Sequence, residues 1–192
     1  MCRAINARSN IHEVIIMSKS IPWSRLEEGI SAIFENIQTL IGSADVLYQN
    51  KKYMVSASLS IFAFEEINKS ELLLDYYKNQ KDLPLDKWNE LVKGKEAHFN
   101  KLLKFLEKET IRVLNFTNEM TNYTEEQLER MTADHYHSVK MNVFYVNWME
   151  KECKWRWFPN EYPQNLQENM AIYFLRTAKR RFNETNRQKQ SV

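Results

Sequence analysis

Glycine and proline are scarce in this chain, 3 and 4 of 192 residues, too few for the tight turns of a many-stranded sandwich or barrel. Cysteine is scarcer still. Cys2 and Cys153 lie at opposite ends with no CxxC spacing, which argues against a zinc knuckle or disulfide frame and predicts free thiols in a reducing compartment, the cytoplasm. No run approaches the roughly twenty apolar residues of a membrane-spanning helix, and the N-terminal segment has no signal-peptide core. The expected protein is neither exported nor inserted. A dominant charge is missing too: 27 basic residues against 25 acidic ones do not make a nucleic-acid coat, although local patches can still bind phosphate.

Absent motifs narrow the chemistry further. There is no P-loop, no Rossmann glycine pattern, no HExxH and no G-x-S-x-G elbow. The paired Glu-x-x-His signature of metal-holding helical bundles is also missing. No cofactor and no metal is therefore expected.

What the chain does have is Leu, Glu, Lys, Asn, Ile and Met in abundance, a composition that predicts an all-α fold, and a length at which one core closes without staples. Residues 1–16 lack helical period and precede Met17 and the polar Ser18, Lys19 and Ser20, so they read as an upstream extension. Residues 1–23 are expected to be a flexible segment, 24–185 a helical domain of about five helices, and 186–192 a basic tail. Ser24 with Glu27 forms a capping-box pattern ahead of Leu26, Ile30, Ile33, Phe34, Ile37, Leu40 and Ile41. Gly42 and Ser43 mark an interruption, and Gln49 to Lys52 a polar turn. A second helix, Tyr53 to Tyr77, is apolar on more than one face and should be central. Pro84 opens a third helix, with the stripe Trp88, Leu91, Val92, Phe99, Leu102, Leu103 and Leu106 and a bend at Gly94. Thr124 and Gln127 cap a fourth helix that continues through Val139 and Val143 to Met149. Residues 153–163 read as an irregular aromatic loop. A fifth helix turns Leu166, Met170, Tyr173, Phe174 and Ala178 inward and ends in Arg180, Arg181, Arg187 and Lys189.

Three constellations carry charge where packing alone would not place it. Glu65 and Glu66 follow directly on Ile61-Phe62-Ala63-Phe64, and Lys69 is within helical reach of both. They are either a surface ion pair where the helix leaves the core, or charges held in a pocket. His98 and Lys101 share a helix face at the edge of an apolar stripe. Arg130, Asp134, His135 and His137 form a third cluster, with Lys140 leading to Tyr145. Arg130 and His135 spell R-x4-H, yet residues five apart in a helix point about 140° from each other, so such a pair converges only at a helix start or between subunits. Trp155, Arg156 and Trp157 suit base stacking or, on packing grounds, the capping of a bundle.

In this order, Glu65-Glu66-x-x-Lys69, then His98-x-x-Lys101, then Lys140 shortly before Tyr145-Val146, the chain resembles the AbiV family of abortive-infection proteins of the HEPN superfamily, over about residues 24–185. The likeness departs at Asn147, where the family usually has aspartate. It implies a HEPN-like helical bundle, a homodimer, a phage-encoded activator and arrest of host translation after infection. Many HEPN domains are metal-independent ribonucleases with an R-x4-6-H motif. Lys140 and Tyr145 occupy that motif's position with both residues replaced, whereas Arg130 and His135 match its letters about ten residues early; both assignments stay open.

On this resemblance the catalytic set is Glu65, Glu66, Lys69, His98, Lys101, Lys140 and Tyr145, with Arg130 and His135 as the alternative pair and ribosomal or transfer RNA as substrate. His98 would be the base or acid, since imidazole titrates near neutrality. Lys69, Lys101 and Lys140 would supply cations near the phosphate, Glu65 and Glu66 would orient them, and Tyr145 would donate a proton or hydrogen bond. The competing expectation is a non-catalytic binding module whose charged cluster is a structural polar core and which captures a phage protein or a translation component.

Overall fold

The computed structural model describes residues 19–93, 97, 101, 133–134, 136–137, 139–140, 143, 147–149, 154–156 and 162–191. Helix dominates them, as the composition predicts. Helix α1, Leu26–Gln49, buries Leu26, Ile30, Phe34, Ile37, Ile41 and Ala44, a spacing of three and four residues that puts one stripe against its neighbour. A turn at residues 50–52 reverses the chain, with Lys51 in the left-handed region at φ 58° and the Asn50 amide donating to the Val46 carbonyl at 2.8 Å.

Helix α2, Tyr53–Lys78, follows within a residue of its expected limits and is the central helix. It is buried on several faces, and small residues let its neighbours come close. Ser56, Ser58, Ser60 and Ser70 are buried, each hydroxyl donating to a backbone carbonyl: Ser56 reaches Ala44 of α1 at 2.7 Å, and the other three bond within α2. A Cβ on Gly29 would lie 3.2 Å from Leu73 Cδ1, tighter than an ordinary contact, so glycine here lets α1 lie close to α2 without shifting that side chain.

A short antiparallel pair joins β1, Ser20–Ile21, to β2, Leu83–Pro84, and α3, Leu85–Val92, begins directly after Pro84. Strands β3, Asn147–Met149, and β4, Lys154–Arg156, pair antiparallel with Trp148 opposite Trp155. Helix α4, Gln164–Gln190, closes the core against both long helices: Phe174 meets Phe64 edge-on at 6.1 Å and Phe182 meets Phe34 at 5.3 Å. Ala133, Tyr136, Val139 and Val143 are buried helical residues of the same core. Four helices are thus delimited among the described residues, and the helical residues at 97, 101 and 133–143 lie outside all four.

Several local expectations are corrected. The Ser24–Glu27 capping box does not form: Trp23–Arg25 is a 3-10 turn and no side chain caps α1. The Glu27 carboxylate instead accepts from the Tyr77 hydroxyl at 3.4 Å, because the chain enters through an exposed turn whose Trp23 amide is taken by Asp82 at 2.8 Å. Helix α1 runs unbroken through Gly42 and Ser43; packing on α2 outweighs one glycine, whose cost is about 1 kcal/mol. The third helix stops at Val92, with Lys93 extended, so the helical residues Ala97 and Lys101 lie beyond it.

The fourth helix cannot reach Met149, and the expected aromatic loop contains strand: residues 147–149 and 154–156 form a hairpin. Aromatic residues favour a pleated surface, and Trp148 and Trp155 stand opposite each other in this pair. On α4, Phe174 and Ala178 are buried as expected, together with Ala171 and Leu175, whereas Leu166 and Tyr173 are 42% and 43% exposed rather than inward. Residues 20–23, placed in the leading segment by sequence, are tied in by β1 and by Trp23, which stacks on Tyr77 at 6.0 Å. Residues 186–190, placed in the tail, are the last turn and more of α4.

Candidate functional site

Glu65 lies in the middle of α2 and is 2% exposed, so the helix does not leave the core there. Two lysines from distant parts of the chain converge on its carboxylate. Lys101 Nζ sits 3.0 Å from Oε2, and Lys140 Nζ donates to Oε1. Both are as buried as the acid, at 4% and 0% exposed. The Lys140 ammonium also stands over the Phe62 ring, 4.8 Å from its centroid, a cation–π contact that partly replaces lost hydration. Beside them the buried Asn68 amide donates to the backbone carbonyl of Lys101.

Charges buried this deeply persist only when paired. Burial pushes Lys140 below the ordinary lysine range, the hydrogen bond and charge of Glu65 pull it back up, and nearby Lys101 pushes it down again. The sign of the resulting pH effect is fixed. The unfolded chain holds the Lys140 proton to higher pH than the folded protein, so folding stability rises with pH through the interval between the two values. Urea unfolding followed as the pH rises towards the ordinary lysine value, about 10.4, is therefore expected to show a positive slope in the wild type that flattens in Lys140→Met.

Glu66 and Lys69 turn elsewhere. Consecutive residues point about 100° apart on a helix, and Glu66 pairs with Lys69 at 2.5 Å in the wall of a cleft of about 290 Å³ bounded by Ile21, Leu26, Gly29, Ile33, Leu73 and Trp88. The sequence places Lys69 within reach of both carboxylates as one charged wall. The structure divides the set into a buried cluster, Glu65–Lys101–Lys140, and a half-buried pair facing α1 and α3.

The other candidates separate as follows. His98, Tyr145, Arg130 and His135 lie outside the described residues. Asn147 is the first residue of β3, in register with Arg156, so the departure from aspartate falls in a strand, not a helix. Asp134 is exposed and His137 half-buried on a segment whose buried side is Ala133, Tyr136 and Val139. Arg181, read as part of a basic helix end, is buried and bonds Glu71 at 2.6 Å, tying α4 to α2.

Two members of the site escape a reading for charge: Asn68 and Phe62. A signal existed for Asn68, a polar residue three after Glu65, hence about 60° from it on the helix, between Ile67 and the buried Ser70. Among the described residues no three His, Cys, Asp or Glu side chains gather as a metal site would need, and no helix is long and apolar enough to cross a membrane.

A protein-family model described as AbiV, of HEPN type, matches residues 25–189, most of the chain. No curated protein and no solved structure matches it significantly.

Proposed function

The chain belongs to the AbiV family of the HEPN superfamily, and on that premise we propose that it is an antiphage abortive-infection protein that arrests host translation as a metal-independent endoribonuclease. The observation that supports this most is the convergence of Glu65, Lys101 and Lys140, three of the positions carrying the family likeness, in one buried cluster on α2. Buried ionic groups are weak stabilisers compared with apolar ones of similar volume, so a cluster at this depth suits a role in arranging a site.

Metal-free cleavage needs a base to take the 2′-hydroxyl proton as that oxygen attacks phosphorus, a cation as charge builds on the phosphate, and an acid to protonate the departing 5′-oxygen. His98 is the base or acid by its chemistry. In this reading the buried cluster holds Lys101 against α2, and His98 stands three residues before Lys101 in the sequence. Tyr145 is the partner acid or base and Lys69, on the wall of the cleft, the cation; the pair Arg130 and His135 is the alternative. The protein works in the cytoplasm as a homodimer, switched on by a phage-encoded protein.

A second reading draws on a specific observation. At 0–4% exposed, Lys140, Glu65 and Lys101 are out of reach of a phosphate, as a purely structural polar core would be. The protein would then act by capturing a phage protein or a translation component.

Purified protein with its phage activator is expected to fragment ribosomal or transfer RNA in EDTA, and His98→Ala to abolish this. RNA left intact by a preparation that still arrests translation would overturn the nuclease and favour capture.

A further inference from the structure

We propose that Asn68 is a positioning residue that sets the place of the Lys101 ammonium, and with it the charge arrangement of the cluster. The inference rests on the reading of that cluster as part of the working site.

Lys101 is held at both ends by one stretch of α2. Its backbone carbonyl accepts from the Asn68 amide, and its ammonium meets Glu65 Oε2 at 3.0 Å. The two gripping residues are three apart and on the same face of the helix. A lysine stem has many rotamers, and ordering it in a buried place costs substantial entropy. A single contact at the ammonium leaves the path of the stem open, because it fixes neither the rotamers of the stem nor the position of the Lys101 backbone. A second contact at the carbonyl removes that freedom: with both ends of the residue pinned to one helix, the ammonium has one site to occupy.

The choice of residue points the same way. Phe64 and Ile67, fully buried, and Leu72, packed on the core, flank Asn68 on α2 alongside the charged Glu65 and Glu71. A leucine would fill the space with no polar group to satisfy. A primary amide at 4% exposure keeps its desolvation cost down only by hydrogen bonding, and the bond it makes crosses 33 residues to the lysine that Glu65 holds. Asn68 touches neither carboxylate chemistry nor, in this reading, RNA. Its effect passes through Lys101 alone.

The test uses the full-length protein. Ammonium protons in a buried ion pair exchange slowly with water, so Lys101 should give a resolved lysine-ammonium signal in a proton–nitrogen correlation spectrum, assigned by its loss in Lys101→Arg. Asn68→Leu, which is apolar, and Asn68→Asp, which keeps the shape but loses the donor when ionised, are both expected to remove or shift the Lys101 signal. The Lys140 signal should stay. Protection against phage should fall about 10- to 100-fold, as when the hydrogen bond behind an active side chain is removed, and Asn68→Gln, which retains the amide, should recover part of it.

A Lys101 signal unchanged in both variants overturns the proposal. So does a lost signal with full protection, which reduces Asn68 to a tie of the fold. Intact RNA with the wild-type protein overturns the nuclease reading alone, since the Lys101 signal does not depend on it.

Discussion

Glu65→Gln is expected to lower folding stability by about 3–5 kcal/mol, the cost of stripping a buried ion pair of one partner. The size follows from the arrangement. In the wild type one carboxylate faces two ammonium groups, each at most 4% exposed. Glutamine leaves both cations in the core, facing each other across a neutral amide. Lys140 already sits below its ordinary range through burial and the nearness of Lys101, and the hydrogen bond and charge of Glu65 pull it back up. A domain typically has about 5–15 kcal/mol in total, so the change consumes a large share. For a chain of this size it corresponds to a fall in Tm on the order of 10 °C, read by calorimetry or by the urea midpoint. Glu66→Gln is the control: its pair with Lys69 is half-buried beside an open cleft, and its loss should cost about 1 kcal/mol or less. Equal losses for the two would contradict the division of the motif into a buried cluster and a cleft pair.

Replacing the whole cluster should separate stability from function. Glu65→Leu, Lys101→Met and Lys140→Met combined are expected to restore stability to within about 1 kcal/mol of the wild type or to exceed it, because well-packed apolar groups often match or outdo a buried ionic set. The same protein is expected to lose phage protection completely. Apolar contacts are non-directional, whereas the ion pairs and the Asn68 bond define one placement of the Lys101 stretch against α2. Plaque counts on cells expressing the triple variant, beside its unfolding curve, decide the matter. Full protection from a stable triple variant would make the cluster a dispensable polar core and leave the capture reading in front. The outcome is informative only with the stability curve in hand, since Glu65→Gln alone loses protection through unfolding whatever the cluster does.

The long helices were the most legible part of the chain. α2 reads almost residue for residue from its apolar run and its flanking polar turns, and α1 from Leu26, Ile30, Phe34, Ile37 and Ile41. These elements are specified locally, by a 3.6-residue period that a linear sequence displays. Their ends were less legible. The Ser24–Glu27 box lost to a 3-10 turn held by Asp82, a partner 59 residues away that no local pattern contains. The hairpin of residues 147–149 and 154–156 reads in the sequence as a helix end and a loop, since a strand of three residues is too short to show alternation and exists only through its partner.

The site divides along the same line. Glu65 and Lys69 stand out in the sequence as charges in an apolar helix, and the order of motifs from Glu65 to Lys140 places the chain in its family. Sequence alone determined the helical class, the central helix and which charges were unusual, because composition, period and local spacing are properties of the linear chain. Tertiary structure alone decided that Glu65 and Glu66 part company, that Lys101 and Lys140 meet on one carboxylate, and that Asn68 grips Lys101 from behind. Those contacts join residues 33 and 75 positions apart. Such distances close only when α2 is packed on several sides, and the direction in which a helix turns each of two neighbouring carboxylates becomes readable once its neighbours are in place.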